Sequence, residues 1–147
     1  MIYTIGYQRL APERLLQIAE GLDAVIIDVR SIPRSRKRGF GRRSLETLLG
    51  RRYQWRGDGL GGLGEISPIY IQALRQYQGD AILMCLEEAP GDCHRHWDIC
   101  APHIPDAMHI FRDEIFTARE LQRAIDDGDD YSVAASLSDL LALPKSA

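Results

Sequence analysis

Several features that would assign this chain to a class at once are missing. No apolar run approaches the ~20 residues that a membrane-spanning helix needs, and the N-terminus lacks the charged-then-apolar pattern of a signal peptide. These absences lead us to expect a soluble cytoplasmic domain with no membrane contact. Cysteine is scarce: Cys85, Cys93 and Cys100 are the three present. An odd, closely spaced set does not build a disulfide framework, so reduced thiols are expected. A strong charge of one sign is also missing. The net charge of -3 excludes a uniformly basic protein that coats nucleic acid. Internal repeats and low-complexity linkers are absent too, so the 147 residues are read as one domain of ordinary size. Its core is expected over about 1–127, followed by a terminal helix or loose tail over 128–147.

The small net charge conceals a division. Between Arg30 and Arg56 stand nine arginines and one lysine against a single acid, Glu46, giving +9. The rest of the chain holds 8 basic and 20 acidic side chains, a balance of -12. A local anion-binding surface on an acidic body fits this pattern, whereas broad coating of a duplex does not. Hydrophobic content of 45% excludes a disordered chain.

The chain opens with a β-branched and aromatic run, Met1 to Tyr7, that reads as a strand. Pro12 to Glu20 reads as a helix with proline in its first turn. Ala24 to Arg30 and Ala81 to Cys85 are nearly continuous apolar runs, the pattern of strands buried on both faces of a parallel sheet. Shorter strands are expected at Tyr53–Trp55 and Ala107–Phe111. Further helices are expected at Ser44–Leu49, from Ser67-Pro68 to Tyr77, from Asp92 to Cys100, and after a Thr117/Glu120 capping box. Gly57 to Gly64 reads as a glycine-rich loop, whose Gly59–Gly64 stretch is expected to be mobile and to fold over the site. Alternating strands and helices point to an α/β fold with a mainly parallel sheet flanked by helices, a Rossmann-like single domain. Ligands in such folds bind beyond the carboxyl ends of the strands, where strand order switches. The chemistry-bearing residues therefore belong after Gly6, after Asp28 and after Cys85.

The first such constellation runs from Asp28 through Arg30, Arg34 and Arg36. Guanidinium forks suit phosphate or carboxylate, and Asp28 is a candidate proton-transfer or orienting group. Phe40 and Tyr53 could add base stacking if the anion is single-stranded nucleic acid. The alternative is a solvated basic loop in which Asp28 merely pairs with Arg30.

The second constellation is Cys85-Leu-Glu-Glu-Ala-Pro-Gly-Asp-Cys-His-Arg95. Glu87 is a candidate general acid or base, His94 a proton carrier and Cys93 a nucleophile activated at a helix start. Arg95 would bind an anion beside that helix end. The alternative is an Arg95–Glu87 pair with buried thiols. Cys93, His96, Cys100 and His103 share one helical face, but one straight helix cannot wrap four ligands around a tetrahedral ion. No metal and no cofactor is therefore expected. Gly59 to Gly64 contains a G-x-G-x-x-G string without the strand before it, the helix at its end or the later carboxylate that dinucleotide binding requires.

Taken in order, Ile5-Gly-Tyr7, Asp28-Val-Arg30, Pro33-x-Ser-Arg36, Phe40, Leu60-Gly-Gly62, Cys85-x-Glu87 and Cys93-His-Arg95 resemble the prokaryotic domain-of-unknown-function family numbered 488. The resemblance spans positions 5 to 95. It implies a Rossmann-like domain with a single site built from these segments, and so adds Tyr7, Ser35, Gly61 and Gly62 to the substrate-binding set of Arg30, Arg34, Arg36 and Arg95. It supplies no reaction. Asp-Val-Arg also occurs in rhodanese-like domains, but no cysteine here heads a compact active-site loop.

The leading expectation is an enzyme acting on a phosphate-bearing substrate, a nucleotide or exposed nucleic-acid element. Glu87, helped by Asp28 or His94, would transfer protons in a hydrolysis, while the arginines hold the anion. A non-catalytic nucleic-acid-binding module and a thiol enzyme or redox sensor using Cys93 are the alternatives.

Overall fold

The computed structural model describes residues 1–143. Seven strands form one sheet in the order β3-β2-β4-β1-β5-β6-β7. The first five in chain order are β1 (Ile2–Gly6), β2 (Ala24–Asp28), β3 (Tyr53–Trp55), β4 (Asp80–Cys85) and β5 (Met108–Phe111). They pair in parallel. β6 (Glu114–Thr117) and β7 (Ala135–Ser136) extend the sheet antiparallel. β2 and β4 are apolar on both faces because helices cover both sides of the sheet.

On one face, Leu15 and Ile18 of α1 (Pro12–Leu22) and Leu45 and Leu49 of α2 (Arg42–Leu49) pack with Tyr3, Ile5 and Met84. Leu137 of α7 (Leu137–Ala142) joins the same cluster, so the core runs past the position 127 expected from sequence. On the other face, Leu60 of α3 (Gly57–Leu60) and Ile71 and Leu74 of α4 (Pro68–Arg75) pack with Ile27, Leu83 and Cys85. A π-helical segment, Arg95–Cys100, lies on that side and runs into α5 (Ala101–His103). Ala118 of α6 (Ala118–Asp127) completes this cluster. The connection leaving β2 thus covers one face and the connection leaving β4, its neighbour, covers the other. Their carboxyl ends form a switch point, where such sheets open a crevice.

Three local expectations are corrected. Gly57–Leu60 forms a helical turn with Gly57, Gly59 and Leu60 buried, not a mobile loop, because the absent side chains let Arg30 and Tyr70 pack against it. Asp92 does not cap a helix: Pro90–Asp92 is a 3-10 turn, Cys93 is extended, and helical structure begins at His94. Thr117 does cap α6 by accepting from the Glu120 N–H, but the Glu120 carboxylate turns to Arg123 instead of closing the box. Among the described residues, no helix is long and apolar enough to cross a membrane.

Candidate functional site

A cleft of about 410 Å³ opens at the switch point. Its walls come from the segments that follow three adjacent parallel strands. Tyr7 follows β1; Arg30, Ser31 and Arg34 follow β2; Cys85 and Glu87 end and follow β4. Gly62 and His94 close it from the side. A larger cavity of about 500 Å³ has Glu88 in its wall but is lined by neither Glu87, His94 nor a cysteine. The smaller cleft is therefore where the chemistry-bearing residues converge.

Convergence does not leave all of them free. Asp28 is completely buried, and both its oxygens are occupied. Oδ1 accepts from the Arg30 backbone N–H at 3.1 Å and from its Nε at 2.9 Å. Oδ2 accepts from Arg30 Nη2 at 2.7 Å and from the Tyr53 hydroxyl. No lone pair is left facing the cleft, so the proton-transfer role expected of Asp28 is replaced by a positioning one. Arg30 is likewise held: Nη1 donates to the Phe40 carbonyl at 2.6 Å and to the Tyr7 hydroxyl at 3.2 Å. Its charge reaches the cleft, but its fork is turned to Asp28. Burial works against the Arg30 cation and the Asp28 bonds outweigh it, so the guanidinium stays protonated at every accessible pH.

Phe40 and Tyr53 do not offer stacking surfaces. Phe40 is fully buried with its ring stacked on Tyr7 at 4.4 Å, and Tyr53 is buried under Asp28. Ser35 and Arg36 do not line the cleft; the Ser35 hydroxyl accepts from the Lys37 N–H and Arg36 is exposed. Gly61 acts by packing: a Cβ there would stand 2.0 Å from the Ser31 hydroxyl oxygen. Tyr7, Arg34 and Gly62 do line the cleft.

Arg95 is the largest fully buried side chain. It does not line the cleft, and each of its three nitrogens already donates within the protein. Nε donates to Thr4 Oγ1 at 3.0 Å, Nη1 to the Glu87 carbonyl at 2.6 Å and Nη2 to the Glu88 carbonyl at 3.1 Å. The Glu87 side chain is therefore not tied up by Arg95. Burial pushes the Glu87 carboxyl above its ordinary range, with the Cys93 sulfur adding to the effect.

Behind Arg95 a hydrogen-bond chain runs through the interior. Thr4 accepts from Arg95 and donates to His109 Nδ1 at 2.7 Å. His109 Nε2 then lies 2.9 Å from His96 Nδ1, and His96 Nε2 lies 3.0 Å from Gln122 Oε1. Since an arginine can only donate and an amide oxygen can only accept, the direction of every bond follows. His96 is thus committed to this chain and Cys100 is buried elsewhere, so the helical set of Cys93, His96, Cys100 and His103 is not what the fold assembles.

Instead it brings together Cys85, Cys93 and His94, whose ligand atoms all lie within 4.8 Å of one another. His94 Nε2 is 3.0 Å from both the Val29 and Leu60 carbonyl oxygens. Carbonyls only accept, so Nε2 carries the proton and Nδ1 is turned to the sulfurs, 3.6 Å from Cys85 and 3.8 Å from Cys93. Cys93 is lowered by hydrogen bonding from Cys85, with His94 and Arg95 adding to it. Cys85 is raised by the same bond and by burial. For His94, burial opposes the cation but the Cys93 sulfur outweighs it, raising the imidazole. Cys93 is buried away from the cleft wall, while Cys85 lines it. Cys85 and Ser31 are lining residues with reactive side chains that the sequence-derived site omitted, along with the apolar Ile32, Leu63 and Leu86. The strand-end rule would have found Cys85 and Ser31, since each immediately closes or follows a strand-end motif.

No curated protein and no solved structure matches the chain. Over residues 13–73 it matches the family model described as Domain of unknown function DUF488, which is the family that its motifs resemble.

Proposed function

We propose that the protein is an enzyme that hydrolyses a phosphate-bearing substrate, a nucleotide or a short exposed element of nucleic acid, in the cleft between β2 and β4. The observation that carries this reading is that Glu87 and Arg34 line the same cleft from the loops after two adjacent parallel strands. Arg34 is exposed and has no carboxylate partner among the described residues, so its fork is available to a phosphate oxygen. Glu87 takes a proton from a water held in the cleft. The water oxygen bonds to the phosphorus or anomeric carbon, the bond to the leaving group breaks with its electron pair, and Glu87 returns the proton to that group. Ser31 and Tyr7 shape the wall, and the Asp28–Arg30 pair fixes the loop that bears Arg34.

The test is incubation with nucleoside mono-, di- and triphosphates and a single-stranded oligonucleotide, with products resolved by chromatography. Turnover of one class, reduced on the order of 10²-fold or more in Glu87→Gln, supports the reading. A folded Glu87→Gln protein with undiminished turnover overturns it.

A second reading, a binding module without catalysis, draws on Arg36, Arg38, Arg43 and Arg51. All four are exposed and, among the described residues, none pairs with a carboxylate, whereas Arg42 and Arg52 do. Salt-sensitive oligonucleotide binding without turnover would favour it.

A further inference from the structure

We propose that Cys85, Cys93 and His94 hold a thiophilic divalent ion of the zinc class, with its fourth coordination position open to the cleft. The proposal starts from distances. Tetrahedral zinc with Zn–S of about 2.3 Å and Zn–N of about 2.05 Å sets sulfur and nitrogen ~3.6 Å apart. His94 Nδ1 stands 3.6 Å from Cys85 Sγ and 3.8 Å from Cys93 Sγ. Those spacings match two edges of a coordination tetrahedron.

The imidazole is also prepared for ligation. A ligating histidine usually donates its other ring N–H to a backbone carbonyl or carboxylate, which fixes the tautomer and ring orientation. His94 Nε2 does so twice, to Val29 just after β2 and to Leu60 at the end of α3. Gly62 packs against the ring, since a Cβ there would come within 3.0 Å of His94 Cγ.

The sulfurs have comparable support. Cys85 is fixed as the last residue of a central strand. Cys93 accepts the Arg95 backbone N–H at 3.4 Å. The loop between them is held by the two carbonyl contacts of the Arg95 guanidinium. Each ligand therefore sits on a segment braced by buried hydrogen bonds, as a preformed site requires.

Three protein ligands with one position free is the pattern of catalytic rather than structural zinc. The cleft lies on the free side, because Cys85, His94 and Glu87 all line it. An ion bound there would supply Lewis acidity to a water beside Glu87. That catalytic use rests on the hydrolase reading; binding of the ion does not.

The test titrates reduced, chelator-stripped protein with Co²⁺ and Zn²⁺. It follows the thiolate-to-cobalt charge-transfer absorption and competition with a chromophoric chelator. One equivalent, with the absorption abolished in Cys93→Ser and His94→Gln and kept in Cys100→Ser, is expected. Alkylation mapping needs no variant: Zn²⁺ should protect Cys85 and Cys93 and leave Cys100 unchanged. Absence of stoichiometric binding overturns the site, as does binding that survives His94→Gln. Isolation of Cys85 and Cys93 as a disulfide that reduction does not convert to a metal-binding form also overturns it. Protein that binds one ion but turns over no substrate sinks the hydrolase reading and leaves the site; turnover by protein that binds no ion does the reverse.

Discussion

The Arg95 guanidinium donates to the backbone carbonyl of Glu87 at 2.6 Å, so a fully buried cation holds the very loop whose side chain faces the cleft. Arg95 acts through position. Its bonds to Thr4 and the Glu88 carbonyl tie β1, the loop after β4 and the π-helical segment to one planar group.

Arg95→Lys keeps the charge but cannot span three acceptors in one plane. Hydrogen bonds to charged groups are worth roughly 1.5–3 kcal/mol each, so losing two should cost on the order of 3–6 kcal/mol. Urea denaturation of the two proteins measures it. A loss below about 1 kcal/mol would show that the carbonyls find other donors and that the clamp does not support the loop.

Asp28 and Arg30 form a buried ion pair with side-chain exposures of 0% and 6%. Breaking such a pair from one side leaves an uncompensated charge, and costs roughly 3–5 kcal/mol. Asp28→Asn should therefore destabilise strongly, and Arg30→Met should recover part of that loss when added to it. Equal stability of wild type and Asp28→Asn would contradict the assignment of Asp28 as the partner that positions Arg30.

The same pair shows where sequence reading reaches its limit. The parallel core was legible because Ala24–Asp28 and Ala81–Cys85 are apolar without alternation, a pattern that only strands covered on both faces carry. β6 and β7 were missed because Glu114–Thr117 is a four-residue segment bounded by polar residues and the edge strand Ala135–Ser136 pairs over two residues only. The location of the site was legible for a related reason: strand ends are where the sheet opens. Which charges satisfy one another was not fixed: the Asp28–Arg30 pair stood only as the alternative reading. Arg30, Arg34 and Arg95 look alike in sequence, yet buried carboxylate and carbonyl partners occupy two of them while the third stays exposed. The approach of His94 to Leu60, 34 residues away, depends on how α3 packs and leaves no local pattern.

The interior histidines give the fold a calculable acid sensitivity. His109 is fully buried and its pKa falls to about 2, chiefly from burial and then from the charges of Arg95 and His96. Thr4, His96 and the ring of Phe116 face it. With an unfolded value of about 6.5, the unfolded chain binds the extra proton first. The stabilisation is complete above that pH and is lost as pH falls from ~6.5 towards the folded value, by up to ~1.4 kcal/mol per unit. His109→Gln retains hydrogen-bonding groups without titrating. Its urea midpoint should therefore fall less steeply between pH 7 and pH 4 than that of wild type, and parallel profiles would remove His109 as the source.

Gly6, the last residue of β1, lies directly against the loop that bears Glu87. A Cβ there would stand 1.7 Å from the Glu87 carbonyl oxygen and 2.4 Å from its carbon, so Gly6→Ala must move backbone rather than a side-chain tip. The carbonyl it displaces is the one that Arg95 grips. Overpacking of this kind costs roughly 1–3 kcal/mol, and here it also opens the loop that separates Cys85 from Cys93. We expect a lower urea midpoint, together with faster amide exchange over residues 86–92 and little change in α4, which packs on the opposite side of the sheet from α1 and α2. If exchange rises uniformly across the chain, the glycine serves general stability. If it rises in this loop alone, Gly6 is in the motif because the loop bearing Glu87 must lie directly on β1.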